Sequence, residues 1–503
     1  MAKSKTPSLV VTVRIYSQKY IEDFINNVMD NGNKIYNTAV KHYIKVINKL
    51  YKDEEYIKAY DSFKTAKDKE ESKVYSNQIF ELIKKYRLQE YDIYNYMGHQ
   101  GRTAFIKGIG SAMVQKLGSE LYTSIKKAVF RKSKIHYRKK GQTNCLSVAA
   151  ANNGIIFDKT THSVKFMGKV IPLKPIRKKD YYLQEALANR VKYCKIVRKP
   201  FKNGYKYFLQ IVLEGTPPEK LNKGNGYCGI DEGTSTVAYF SKNKSDFVVL
   251  ANGIEKYNKK IKQANDKYFR RLRLANPECF NNDGTFKKGS KFKVRTKGSY
   301  KALLELKNAY RLKSVFVKQS HNKLVNDLIE SCDTFIKEPM DFKALAKKAK
   351  ETKRQDKSST IKKKDGSEIQ IHKYKKKKRF GKSILDRSPG YFSSQLEKKC
   401  KEYNCNIIEV NSKEYKASQY NHRTRKAIKP LLKERTKLIG KRLVQRDLYS
   451  AFLLYNIQDE NTINFDSCKK EFRNFLKQQQ LIVDKIKIQG DKTKNFGLKD
   501  FIW

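Results

Sequence analysis

The sequence lacks any apolar run of the roughly 18 residues that a membrane-spanning helix needs, and no segment pairs one basic face with one wholly apolar face. A membrane partner is therefore not expected. Cys-x-x-Cys pairs are also missing. The eight cysteines, at positions 145, 194, 228, 279, 332, 400, 405 and 468, are scattered, which excludes both a disulfide framework and a visible zinc knuckle. Cys400 and Cys405 come nearest to a pair, and their spacing fits structural thiols. The opening run Ser8-Leu9-Val10-Val11-Thr12-Val13-Arg14-Ile15 is too short and too strand-like for a signal peptide, so a cytoplasmic location is expected. Tryptophan occurs once, as Trp503.

Acidic residues are scarce. The 503 residues carry 109 Lys and Arg against 50 Asp and Glu, a formal charge of +59. A compact fold with that excess repels itself unless polyanions neutralise it, and nucleic acid is the partner such a balance implies. An A/T-rich genome would enrich Lys, Asn, Ile and Tyr, but it would enrich Glu as well and leaves the imbalance unexplained. The 32 tyrosines and 26 phenylalanines add faces on which unpaired bases can stack, at roughly 1–3 kcal/mol per base. With 39% hydrophobic residues the chain can build several cores.

Patterning divides the chain as follows. Residues 1–16 hold one alternating strand. Residues 17–132 show helical periodicity through Phe24, Val28, Ile35, Val40, Tyr43, Val46 and Leu50. Short β-rich runs with turns at Asn152-Asn153-Gly154 and Asn203-Gly204 fill 133–214, predicting a small barrel or sandwich that the first strand returns to complete. Residues 215–226, with Pro217-Pro218 and three glycines, read as a linker. In 227–460 three strands precede helices at Ile254–Leu274 and Tyr300–Ser331. A basic segment at 343–382, a helix near 390–403, a strand at 406–410 and a helix-like stretch 441–457 follow. Residues 461–503 form a tail.

Three acids in this last domain stand in suggestive frames. Asp231 closes the run Tyr227-Cys228-Gly229-Ile230 and precedes a glycine turn and a second apolar run, a hairpin pattern. Glu338 ends Thr334-Phe335-Ile336, and Asp447 lies in the helix-like stretch. Two strand acids and one helix acid are the parts of a ribonuclease H-like nuclease, whose carboxylates hold two magnesium ions about 3.5–4 Å apart against a scissile phosphate. Each acid also has a plain reading: Asp231-Glu232-Gly233 as a turn, Glu338-Pro339 as a solvated strand end, Asp447 as a surface ion pair with Arg446. Their order and context together favour the site.

These residues resemble a known family. Gly229-Ile230-Asp231-Glu232-Gly233-Thr234, Ile336-Lys337-Glu338-Pro339-Met340-Asp341-Phe342-Lys343-Ala344-Leu345 and Gln445-Arg446-Asp447-Leu448-Tyr449-Ser450-Ala451-Phe452 look like the three RuvC motifs of the TnpB family, transposon-encoded relatives of the type V CRISPR effector nucleases. The likeness extends to 281–289, 378–383 and 415–422, as in a clostridial-type branch. It implies an α+β multidomain chain: a β-barrel wedge domain with an inserted helical recognition domain, then a ribonuclease H-like (RuvC) α/β nuclease domain. It implies a magnesium-dependent, RNA-guided DNA endonuclease with Asp231, Glu338 and Asp447 as catalytic metal ligands, a guide RNA and double-stranded target DNA as partners, and a prokaryotic, nucleoid-associated setting. A cleavage-deficient RNA-guided repressor and a transposition-associated DNA-binding protein are the rival readings. Many relatives carry a four-cysteine zinc ribbon between the second and third motifs; the matching region, 411–446, has no cysteine, so no zinc is expected. His422 there reads as a structural histidine.

For contacts to nucleic acid, Tyr94, Asn95, Tyr96, Gln100 and Arg102 are candidates, because Asn or Gln can bond adenine edges and Arg guanine. Tyrosines at helical spacing also suit a core. The run Lys375, Lys376, Lys377, Lys378 and Arg379 is a candidate by charge, although such a run also suits a solvated surface.

Overall fold

The computed structural model describes residues 6–102, 108–148, 150, 153–177, 179–282, 285–346, 354–362, 368–374, 381–411, 417, 419–428, 431, 434–457, 462–489 and 496–501, with backbone alone at 101–102, 354–359, 361–362 and 368–374. The chain separates into two compact units, Met1–Pro218 and Glu219–Trp503. The division falls inside the linker read from the prolines and glycines.

In the first unit β1 (Ser8–Arg14) is followed by five helices: α1 (Lys19–Leu50), α2 (Glu54–Thr65), α3 (Lys69–Lys85), α4 (Glu90–Arg102) and α5 (Ser111–Arg131). Asp53 and Asp68 cap α2 and α3 by accepting from backbone N–H groups one turn in. Then come β2 (Cys145–Ser147), β3 (Ile155–Asp158), β4 (Ser163–Phe166), β5 (Lys169–Pro172), α6 (Tyr181–Ala188), β6 (Val191–Phe201) and β7 (Gly204–Glu214). The alternation of β1 buries Leu9, Val11 and Val13, and the strand pairs antiparallel with β7 from Ser8↔Glu214 to Arg14↔Phe208. One helix serves two cores. The first turns of α1 give Ile21, Ile25, Val28 and Met29 to the strand core, while Ile35, Val40, Tyr43 and Ile47 enter the helical core.

The expected barrel is not closed. Among the described residues the strands form a four-stranded sheet, β1-β7-β6-β2, and a separate three-stranded sheet, β3-β4-β5, around one apolar core. Closure needs continuous pairing between the two, but β2 is three residues long and, among the described residues, the two sheets are joined outside their strands by the bridge Ile15↔Leu173. The fold as a whole is mixed α/β and multidomain.

The second unit is built on one five-stranded sheet. Its strands are β8 (Tyr227–Glu232), β9 (Thr236–Ser241), β10 (Ser245–Val249), β11 (Thr334–Lys337) and, after the two-stranded hairpin β12 (Arg354–Lys362) and β13 (Glu368–Tyr374), β14 (Asn406–Glu409). Their spatial order is β10-β9-β8-β11-β14, with β8 to β10 antiparallel and β11 parallel to both β8 and β14. The helices are α7 (Ile254–Ala275), α8 (Lys297–Ile329), α9 (Phe342–Ala346), α10 (Gly381–Arg387), α11 (Pro389–Tyr403) and α12 (Arg446–Tyr455). Helices cover both faces, which is why β9 and β11 are buried at every residue. Cys228, Ile230, Val237, Tyr239 and Phe335 meet α8 and α11; Ala238, Phe240 and Ile336 meet α12 and the long helix Phe465–Gln489.

Two boundaries differ from the sequence reading. The helix bearing Asp447 starts at Arg446 rather than near 441, because Arg442–Gln445 pairs as a strand with Thr436–Ile439 and the Gln445 side chain caps the helix by accepting from the Leu448 N–H at 2.6 Å. The segment read as a tail carries the long helix, which buries Cys468, Phe472, Phe475, Ile482 and Val483 in the sheet's core. Among the described residues no helix is long and apolar enough to cross a membrane.

Candidate active site

Side chains alternate along β8, so Gly229 and Asp231 face α12 while Cys228, Ile230 and Glu232 face the other way. Gly229 sets the distance between sheet and helix. A Cβ there would lie 2.0 Å from the Ala451 carbonyl oxygen and 2.4 Å from the Tyr455 nitrogen, both backbone atoms of α12. Only a glycine lets the helix come this close, and the approach brings its first turn, with Asp447, over the end of β8.

Register brings in the third acid. Strands β8 and β11 run parallel with Ile336 opposite Gly229 and Lys337 opposite Ile230. One further step sets Glu338 beside Asp231, at the carboxyl ends of two parallel strands, where α/β sheets commonly present functional groups. Electrostatics records the meeting. Burial, and then the charges of Asp447 and Glu338, push the Asp231 carboxyl well above the usual carboxylate range, against a hydrogen bond from the buried Ser450 hydroxyl and the charge of Arg446. Glu338 is raised by burial and drawn back by the Ala417 N–H.

Asp447 has a cation at hand. Nε and Nη2 of Arg446 each stand 2.9 Å from its Oδ1, and Nη1 donates to the Glu434 carbonyl at 2.9 Å. Among the described residues, no group of three or more His, Cys, Asp or Glu side chains is drawn together in a geometry that could hold a metal ion. The donor set nonetheless suits one: three carboxylates are hard oxygen ligands, and mutual repulsion at a buried Asp231 is a charge imbalance that a divalent cation relieves.

The opposite face holds a second charged cluster that sequence reasoning missed. Lys337, 2% exposed, reaches Ser393 Oγ at 2.8 Å, Glu397 at 3.3 Å, Glu409 at 3.4 Å and Glu232 at 3.8 Å. Burial pushes the Glu232 carboxyl up to about 7, with Lys337 opposing. The signal was available in the pleat: if Asp231 and Glu338 face one side, their neighbours Glu232 and Lys337 face the other.

The remaining candidates lie elsewhere. Tyr94 packs on Gly118 of α5, its hydroxyl bonded to Glu90 and Ser119. Tyr96 stacks on His42 with ring centroids 4.3 Å apart. Asn95 is exposed and Gln100 half-buried. Arg102 ends α4 and its side chain, like Lys375, Lys376, Lys377, Lys378 and Arg379 in full, lies outside the described residues. His422 is 2% exposed among Tyr449, Phe452 and Phe472. Its backbone N–H donates to the Tyr449 hydroxyl at 3.1 Å and its Nδ1 shares a hydrogen bond with the same hydroxyl at 2.6 Å, while burial lowers the ring to about 4. All eight cysteines are free thiols.

No family model matches the chain, and no curated protein matches it. Among solved structures, it is similar to the protein of a Cas12f1–sgRNA–target DNA complex at a TM-score of 0.40 and 13% identity, over 90% of this chain and 99% of that one. A CRISPR-Cas12f ternary complex aligns at a TM-score of 0.27 and 13% identity, over 88% and 82% of the two chains. A Cas12i–crRNA–double-stranded DNA complex aligns at 0.25 and 11%, over 91% and 65%. Likenesses this distant do not bear on chemistry, and the reading of function rests on the carboxylates.

Proposed function

We propose that this chain is an RNA-guided DNA endonuclease whose phosphodiester-cleaving centre is a ribonuclease H-like, RuvC-type site formed by Asp231, Glu338 and Asp447. The observation that carries it is the convergence of three acids: the parallel register sets Glu338 beside Asp231 and the close approach at Gly229 lays the first turn of α12, with Asp447, over them. Three repelling acids held at two strand ends and one helix start have no benefit for stability and a clear use as ligands. Supporting this reading, the antiparallel trio β10-β9-β8 continues into the parallel strands β11 and β14, so that the two strand acids leave the sheet at the same end.

Two magnesium ions, when bound by the three carboxylates, supply activation of the attacking water and stabilisation of the departing oxygen. The chain's residues do the rest. Ser450 donates to Asp231 and orients it, the Ala417 N–H does the same for Glu338, and the Gln445 cap fixes the first turn from which Asp447 projects. The charge of +59 answers the phosphates of a guide RNA paired to one DNA strand, a heteroduplex of roughly 20 bp in effectors of this kind. Choice of target by base pairing and of a short adjacent motif by protein follows from the family resemblance.

The test is cleavage of double-stranded DNA by the full chain with its co-purifying RNA, in magnesium, for Asp231→Ala, Glu338→Ala and Asp447→Ala. Each is expected to lose cutting while retaining RNA and DNA binding in gel-shift assays. Cutting that survives all three single changes overturns the assignment. Wild-type binding without cutting would instead favour the repressor reading.

A further inference from the structure

Arg446 occupies an unfavourable place for a cation. It is the first residue of α12, where the helix dipole and the unpaired N–H groups already carry positive charge. Something must offset that. Its guanidinium directs two N–H groups to one oxygen, Oδ1 of Asp447, both at 2.9 Å, while the third nitrogen is fixed on the Glu434 carbonyl and the Arg446 backbone N–H on the Arg435 carbonyl at 2.8 Å. The side chains of Arg446 and Asp447 are 13% and 17% exposed, so water screens the contact poorly. The Arg446 charge also reaches Asp231 and works against the repulsion from the other two acids.

We propose that Arg446 is the resident counter-cation of this site: it compensates Asp447 in the metal-free chain, and a divalent cation must displace it from Oδ1 of Asp447 to bind there. The inference rests on the reading of the triad as a metal site. It accounts for the two guanidinium contacts that converge on one oxygen of Asp447. Oδ1 of Asp447 takes both guanidinium contacts, so the arginine and a metal compete for that oxygen. Tethering at Glu434 keeps the guanidinium close after displacement, so the exchange is reversible.

The experiment follows thermal unfolding of the full chain, freed of nucleic acid, against magnesium chloride at constant ionic strength, for wild type, Arg446→Gln, Arg446→Lys and Asp447→Asn. Arg446→Gln is expected to melt lower than wild type without metal and to reach half-maximal stabilisation at about tenfold lower magnesium, the scale of one charge-assisted hydrogen bond. Arg446→Lys, with a point charge in place of the fork, should fall between them and serves if Arg446→Gln folds poorly. A magnesium midpoint that is unchanged or higher in both variants overturns the proposal, as does an unchanged midpoint with weaker DNA binding, which would make Arg446 a phosphate contact. If wild type shows no magnesium-dependent shift, or Asp447→Asn keeps it, the metal reading itself fails.

Discussion

Gly229→Ala is the sharpest probe of how the site is assembled. The added methyl would sit 2.0 Å from the Ala451 carbonyl oxygen, 2.4 Å from the Tyr455 nitrogen and 3.0 Å from the Tyr455 Cα. None of these is the end of a flexible side chain, so the helix itself must withdraw, by about 1.4 Å to restore an ordinary carbon–oxygen contact. The helix is held on its other side by Phe452, Leu453 and Leu454, all 0% exposed, against the long helix, so the shift compresses a packed core at about 1–3 kcal/mol. Melting should fall by several degrees, at roughly 2–4 °C per kcal/mol for a unit of this size. Activity should fall further, since a 1 Å displacement of a catalytic group costs on the order of 100-fold. Nicking kinetics and differential scanning calorimetry on the same preparation separate the two effects. An Ala variant with wild-type melting and wild-type nicking would refute the claim that glycine sets the approach of Asp447 to Asp231.

Lys337→Met removes the cation from a buried cluster and strands Glu232, at an expected cost of about 3–5 kcal/mol in urea unfolding; adding Glu232→Gln should recover much of it, and equal losses in single and double variants would contradict the pairing. His422 gives a pH signature. Burial holds its ring at about 4 against 6.5 when unfolded, so between those values the unfolded chain binds more protons and stability falls as pH drops, by about 3 kcal/mol across the window. His422→Phe should flatten that part of the stability–pH curve, and an unchanged slope would show that the ring is not buried neutral.

Much of this architecture was legible in residues. The alternation of Ser8–Arg14 against Tyr205–Leu213 was enough to expect the first strand to return, because register follows the buried face once one side is apolar. The frames around Asp231 and Glu338 were readable for the same reason: short apolar runs ending in an acid mark where a strand leaves the core. The hairpin Arg354–Lys362 and Glu368–Tyr374 was not, since the first strand has Ile361 as its one aliphatic residue and the alternation of the second is confined to Ile369 and Ile371. The start of α12 was misplaced because Arg442–Gln445 has no breaker before the helix; the boundary is made by strand pairing and a glutamine cap, which are tertiary. Strand content left a barrel or a sandwich open and the family resemblance implied the barrel, but content does not specify whether edges meet.

The two faces of the sheet explain how an unfavourable cluster can be held still. Asp231 and Glu338 point to one side; the residues bonded directly to them, Glu232 and Lys337, point to the other, as the pleat requires. Lys337 there joins the end of β8 to β14 through Glu409 and to α11 through Ser393 and Glu397. Repulsion between the acids would otherwise spread the strand ends, and β11 stops at Lys337, one residue before Glu338. A buried cation shared among three acids on three elements resists that spreading. The backbone positions of Asp231 and Glu338 are thus fixed from behind by compensated charge, while the charge in front stays uncompensated except where Arg446 clasps Asp447. The strain of the site is thereby confined to side chains that a cation can satisfy.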